Sequence, residues 1–310
     1  YAKQIRHRGN VRYNTKNGRK RLMKLLEEDK LGGCPIDSVK LSDAKEWAIR
    51  MKEKGISYKT ISNDKRSLKA AFYTAIQDDC IRKNPFDFQL NTVIEDDTEP
   101  KVPLTPAQEE SFLSFAQNDK VYQKYYDELI ILLGTGLRIS ELCGLTDTDI
   151  NFENRIINVD HQLLRSAETG YYIETPKTKS GIRQIPMSEK VYEAFNRVLK
   201  RRRGAKAVTI DGYSNFLFLN RDGYPKTATN YDGMFRGHAK KYNKYHEEAL
   251  PKVMTPHTLR HTFCTNMANA GMNPKALQYI TGHSNITMTL NYYAHATFDS
   301  AKAEMLRIAA

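Results

Sequence analysis

The 310-residue sequence carries 48 lysines and arginines against 36 aspartates and glutamates, a formal charge of +12. That length allows two cores of ordinary size, and the basic surplus favours a polyanionic partner, nucleic acid first, over a small acidic substrate. The four cysteines, Cys34, Cys80, Cys143 and Cys264, lack the paired spacing of a zinc site or a disulfide framework, and neither an apolar leader nor a bilayer-length apolar run occurs, so a cytoplasmic protein with no membrane partner is expected.

From Val11 to about Phe86 the chain reads as helices: "RKRLMKLLEEDK", then "LSDAKEWAIRMKEKG", then "SYKTISNDKRSLKAAFYTAIQDDCI", each with apolar residues three and four apart. Ser42 and Asp43 offer the second helix a start and Gly55 a stop, and Ser57 caps the third. The third helix carries Lys59, Lys65, Arg66 and Lys69, a set that suits a duplex backbone but equally a solvated face. Between Asn84 and Pro106, "NPFDFQLNTVIEDDTEPKVPLTP" is rich in Pro, Asp and Thr and has no periodicity, the mark of a linker. The expected division is a helical domain over 1–90, a linker over 91–104 and a second domain over 105–310.

The second domain begins at "TPAQEESFLSFAQ", with Thr105 as cap, Pro at the first helical position and acids in the first turn. "YYDELIILLGTGLRISELCGL" reads as two buried helices broken at Gly-Thr-Gly. "RIINVDHQLLR", "YYIETPKT" and "IRQIPMS" read as short strands, with Thr178 to Gly181 as a hairpin tip, and further helices start near Thr227, Thr255, Asn273 and Ser284. The fold class is therefore mainly α with a small antiparallel β-sheet.

Several residues could carry chemistry. In "TPHTLRHTFCTNMANAG", Thr255 and Pro256 fix the helix phase, so that His257 and Arg260 share a face beside unpaired backbone amides, a phosphate-binding arrangement. His261, one residue on, faces elsewhere. Arg138 in "GTGLRISEL" sits among apolar residues and needs a partner, either Glu141 three residues on or a bound phosphate. Lys177 and Lys179 lie at the predicted tip, where ordinary surface lysines also occur. In "HSNITMTLNYYAH", His283 precedes two tyrosines that periodicity alone would assign to packing. Arginines, a lysine, histidines and a tyrosine without an acidic metal cage are the parts of a phosphoryl transfer needing no metal and no cofactor.

In order over about 160 residues, "GTGLRISELCGL", "PKTKSGIRQIPM", "TPHTLRHTFCTNMANAG" and "TGHSNITMTLNYYAH" resemble the tyrosine recombinase family of phage integrases, Xer and Cre-like enzymes, with most likeness to integrases of Gram-positive phages and conjugative transposons. The resemblance implies a two-domain, C-shaped clamp on DNA, with strand cleavage and rejoining through a 3′-phosphotyrosine link for excision and integration of a mobile element. It implies Arg138, His257, Arg260 and His283 as phosphate ligands and Lys177 as general acid, with Lys179 as a DNA contact or an alternative acid. It implies Tyr293 as nucleophile by the following Ala-His; a spacing of nine residues from His283 would select Tyr292. Further implied are self-assembly into a dimer or tetramer on DNA through an amphipathic C-terminal helix (Phe298, Ala301, Met305, Ile308), an accessory DNA-bending or excision factor, and an amino-terminal arm-binding domain missing from this sequence, which opens on Tyr1 rather than Met. A type IB topoisomerase-like relaxase and a non-catalytic DNA-binding regulator are the competing functions.

Overall fold

The computed structural model describes residues 12–99, 102–176, 178–202, 208–247, 249–251, 253–293 and 305–306. The chain divides into two compact units, Tyr1–Pro100 and Lys101–Ala310.

The first unit is helical: α1 (Tyr13–Glu27), α2 (Leu41–Glu53) and α3 (Tyr58–Gln77). Asp43 accepts from the Lys40 backbone N–H at 2.9 Å to start α2, and Ser57 accepts from Thr60 N–H at 3.4 Å to start α3. Trp47, Ile61, Phe72 and Phe86 close the core, the Trp47 and Phe86 rings edge to face at 5.8 Å. Two ion pairs tie the elements, Arg21 with Asp64 and Arg50 with Asp29. The segment after α3 is more than a connection, because Leu90 and Ile94 are buried in this core.

The second unit opens on α4 (Pro106–Asn118), where Thr105 and Gln108 form a reciprocal capping box with both bonds at 3.1 Å. Next come α5 (Tyr126–Thr135) and α6 (Ile139–Gly144), separated at Gly136, whose φ of +62° ends α5. Leu129, Ile131 and Leu132 bury α5 in the core. The strands are β1 (Ile150–Asn151), β2 (Ile156–Val159), β3 (Gln162–Ser166), β4 (Gly170–Glu174) and β5 (Arg183–Pro186). Behind them follow α7 (Glu189–Arg202), α8 (Ala228–Tyr245), α9 (Pro256–Asn269), α10 (Pro274–Thr281) and α11 (Thr287–Leu290), then a 3₁₀ turn over Asn291–Tyr293.

The predicted hairpin with its tip at Thr178 to Gly181 does not form. β4 pairs with β3, and β5 crosses to pair with β2 in a separate three-stranded sheet ordered β1-β2-β5, with Ile157 opposite Ile185. Lys179–Gly181 is instead a 3₁₀ turn between the two sheets. Inward positions of β5 decide this: Arg183 and Ile185 alternate as buried residues and need the interior that β2 lines.

Candidate active site

Four pieces of the second unit converge on one pocket, and each is delivered by a local feature of the sequence. At Gly136 a side chain would meet the Phe263 ring 2.3 Å away, so glycine lets the chain turn tightly against α9 and bring Arg138 to the start of α6. Pro256 starts α9 and places Arg260 in its second turn, buried. Strand alternation turns Arg183 inward from β5. Gly282, with φ +64°, ends α10 and hands the chain to His283, also buried.

The three arginines are held by one helix end. Three consecutive carbonyls at the end of α10 each accept from a different guanidinium: Ile280 from Arg183 Nε at 2.6 Å, Thr281 from Arg260 Nη2 at 2.5 Å and Gly282 from Arg138 Nη2 at 2.9 Å. This is the negative end of a helix dipole, where cations are favoured. Arg260 also donates from Nη1 to the Gly136 carbonyl at 2.5 Å. Glu141 is the shared carboxylate. Its Oε1 accepts from Arg138 Nη1 (2.7 Å) and Arg183 Nη1 (3.0 Å), and its Oε2 accepts from the Arg138 backbone (2.8 Å) and Arg183 Nη2 (2.8 Å).

One carboxylate faces three guanidiniums, so the pocket keeps an excess of positive charge. Burial, then the charge of Arg138, lowers Arg260 to about 10, which leaves it protonated at neutral pH. Burial, then Arg260, Arg138 and Arg183, lowers His283 to about 4, so its imidazole is neutral; Nδ1 lies 2.9 Å from Thr289 Oγ1. Glu141 stays ionised because its hydrogen bonds and charge pairing with Arg183 and Arg138 outweigh the burial that opposes them.

The tyrosines differ in their surroundings. Tyr292 stacks nearly parallel to His283 with ring centres 6.4 Å apart and stands edge-on to His261 at 4.9 Å. Burial, then Cys264, raises its phenol to about 12, while Arg260 pulls in the opposite direction. The Tyr293 hydroxyl donates to the Met272 carbonyl at 2.5 Å.

With this geometry in view, comparison with known proteins is direct. Residues 103–300 match the Phage integrase family. The chain is 68% identical over 308 residues to the transposase from transposon Tn916 of Enterococcus faecalis, covering 99% of this chain and 76% of the relative.

The chain belongs to the phage integrase family of tyrosine recombinases.

The recombinase is also similar to the solved Tn1549 transposon integrase in complex with a circular intermediate DNA (76% identity, 99% of this chain and 98% of the other, TM-score 0.95). A second complex, with transposon right end DNA, gives 77% identity and a TM-score of 0.94. A lambda integrase dimer bound to a core site shares the fold, at 15% identity and a TM-score of 0.61.

Of the residues named from sequence, the recombinase fold brings Arg138, Arg260, His283 and Tyr292 together. His257 is exposed on the first turn of α9, and Lys179 is exposed on the 3₁₀ turn. Lys177, His295, Phe298, Ala301 and Ile308 lie outside the described residues, and Met305 is exposed. On α3, Lys59 and Arg66 are exposed, whereas Lys65 donates to the Phe88 carbonyl at 2.5 Å and Lys69 pairs with Asp87. His261, expected to face away from the site, stands edge-on to Tyr292, and Arg183 joins the site without belonging to any expected set of ligands. Alternation in "IRQIPM" does signal a buried Arg183, but nothing local names its partner. Asp149, Asp160 and His161 form the one grouping of metal-ligand type among the described residues. The two nitrogens of His161 are spent within the protein, Nδ1 at 2.6 Å from Asp160 Oδ1 and Nε2 at 2.7 Å from the Gly144 carbonyl, so the group braces the end of α6. No helix among the described residues is long and apolar enough to cross a membrane.

Proposed function

We propose that this chain cuts and rejoins the ends of a mobile element, with Tyr292 as the attacking residue. The observation that carries the reading is the pocket itself, which sets an excess of guanidinium charge and a neutral imidazole beside a tyrosine. Tyr292 Oη attacks the scissile phosphorus, its proton passes to a base for which His257 is the candidate, and the bond to the 5′ oxygen breaks. Lys177 supplies the proton that the leaving oxygen takes up. The products are a 3′-phosphotyrosine ester and a free 5′ hydroxyl, and attack by another strand's hydroxyl reverses the step.

Arg138 and Arg260 are suited to the non-bridging oxygens, because the planar fork of a guanidinium matches two oxygens. Loss of one such donor costs about 3–4 kcal/mol of barrier, or 10²–10³ in rate. The exposed Lys59 and Arg66 suit contacts to the duplex backbone.

Tyr292 is preferred to the Tyr293 expected from the Ala-His sequence on two grounds. Tyr292 shares its environment with His283 and Arg260, while the Tyr293 hydroxyl is directed to a backbone carbonyl. In the Tn1549 integrase complexes, the arginine changed to lysine and the tyrosine changed to phenylalanine are 154 positions apart, the separation of Arg138 and Tyr292 here.

The test is exchange of strands between two differently marked duplexes carrying the Tn1549 right-end sequence, with EDTA present. Recombinant strands are expected. Relaxation of a supercoiled plasmid without exchange would support the topoisomerase-like alternative, and binding without cleavage the regulator.

A further inference from the structure

We infer that Arg183 is a positioning residue for the phosphate clamp: through Glu141 and the carbonyl end of α10 it fixes where Arg138 presents its guanidinium. The inference rests on the phosphoryl-transfer reading above and assigns a role to a residue that the reading does not use.

The two arginines on Glu141 divide their donors differently. A guanidinium has five N–H groups. Arg183 makes four bonds within the protein, to Ile280 O, Gly181 O and both oxygens of Glu141, and its side chain is 0% exposed. It has no route to a phosphate. Arg138 makes two side-chain bonds, to Glu141 and Gly282, and its side chain is 32% exposed. The first guanidinium is spent on the scaffold, and the second keeps donors for a ligand.

Stability alone is a poor reason for this arrangement. A buried ion pair gives little net stabilisation over apolar residues of the same volume, so two arginines on one buried carboxylate call for another explanation. Geometry supplies it. Each Glu141 oxygen takes one bond from Arg138 and one from Arg183, so Arg183 fills the carboxylate positions that would otherwise let Glu141 swing toward Arg138. Arg183 also bonds Gly181 and Ile280, and so ties the turn after β4 and the end of α10 to the same carboxylate. At Gly282 a side chain would lie 2.9 Å from the Ser180 carbonyl and 3.1 Å from Arg183 Nη1; this close approach joins the turn before β5 to the residue preceding His283. Misplacing a catalytic group by about 1 Å can cost 10²-fold in rate, and a brace of this kind prevents that.

The experiment compares wild type, Arg183→Lys and Arg138→Lys on nicked suicide duplexes of the Tn1549 right-end sequence. One duplex has the natural phosphodiester; in the other, a methylphosphonate at the scissile position removes the negative charge that the clamp serves. Lysine keeps the buried charge of Arg183 but loses the fork that reaches four acceptors. If Arg183 acts through Arg138, Arg183→Lys cleaves the phosphodiester about 10–100-fold more slowly. Duplex binding and cooperative melting are retained, and most of the defect disappears on the methylphosphonate, as it does for Arg138→Lys. A defect of equal size on both substrates, a loss explained by the unfolded fraction, or unimpaired cleavage would overturn the inference alone. Absence of strand cleavage by wild type on either duplex would instead overturn the phosphoryl-transfer reading, and the inference with it.

Discussion

Glu141→Gln removes the carboxylate that Arg138 and Arg183 share while leaving its shape nearly unchanged. Glutamine retains one acceptor oxygen, but its amide NH₂ turns two donors toward guanidinium donors that the carboxylate had satisfied. Arg183 cannot escape to water, because its side chain is fully buried. Breaking a buried pair from one side costs about 3–5 kcal/mol. For a unit of roughly 200 residues each kcal/mol moves the melting temperature about 2–4 °C, so the variant should melt roughly 6–20 °C below wild type. Arg138 adds little to this figure, since its charge is partly solvated. Bound DNA should then stabilise the variant more than it stabilises wild type, because a phosphate supplies an anion to the pocket that lost one. Thermal melting followed by circular dichroism, with and without duplex, reads both effects. A melting temperature within about 1 °C of wild type would refute the electrostatic account of the pocket.

Acid should weaken the fold in a defined window. His283 and His238 both lie near 4 in the folded protein, His283 through burial and the neighbouring arginines, His238 chiefly through burial among Phe112, Phe115 and Tyr122. Their folded values fall below the unfolded value near 6.5, so as pH drops from about 6.5 to 4 the unfolded chain binds protons that the folded one does not. Stability is lost across that window, by up to about 3 kcal/mol per histidine, and these two contribute no slope above pH 7; His238→Leu should remove about half of the slope in a melting series, and an unchanged slope would count against its burial as a neutral group. For the leaving group, Lys177→Ala should slow cleavage about 10²–10⁴-fold. A 5′-bridging thiolate, which needs little protonation, should restore that rate, whereas rescue of Lys179→Ala would move the role two residues along.

Local signals carried much of the architecture. Thr105 with Gln108, Ser57 before α3, and Gly136 and Gly282 at helix ends each act within a few residues, so their structural consequences can be read in sequence order. Arg138 was legible for a related reason: a charged residue inside an apolar run needs a partner, and Glu141 stood one turn away. The strand pairing was not legible. Which of β3, β4 and β5 pair depends on surfaces contributed from elsewhere in the chain, and β5 pairs with β2 because Arg183 and Ile185 need a buried face. The second partner of Glu141 was hidden for the same reason, since Arg183 lies 42 residues further along. The proposed preference for Tyr292 over Tyr293 rests on direction: adjacent residues on a tight turn point differently, and the Met272 carbonyl that receives the Tyr293 hydroxyl lies 21 residues away.

The most direct test of the account is to trap the protein on a nicked suicide duplex of the Tn1549 right-end sequence and map the labelled peptide, alongside Tyr292→Phe and Tyr293→Phe. The account predicts label on Tyr292 and no adduct from Tyr292→Phe. It also predicts a Tyr293→Phe protein that still forms the adduct while losing about 1 kcal/mol of stability with its hydrogen bond to Met272. Label on Tyr293, or an adduct that survives in Tyr292→Phe, would contradict it.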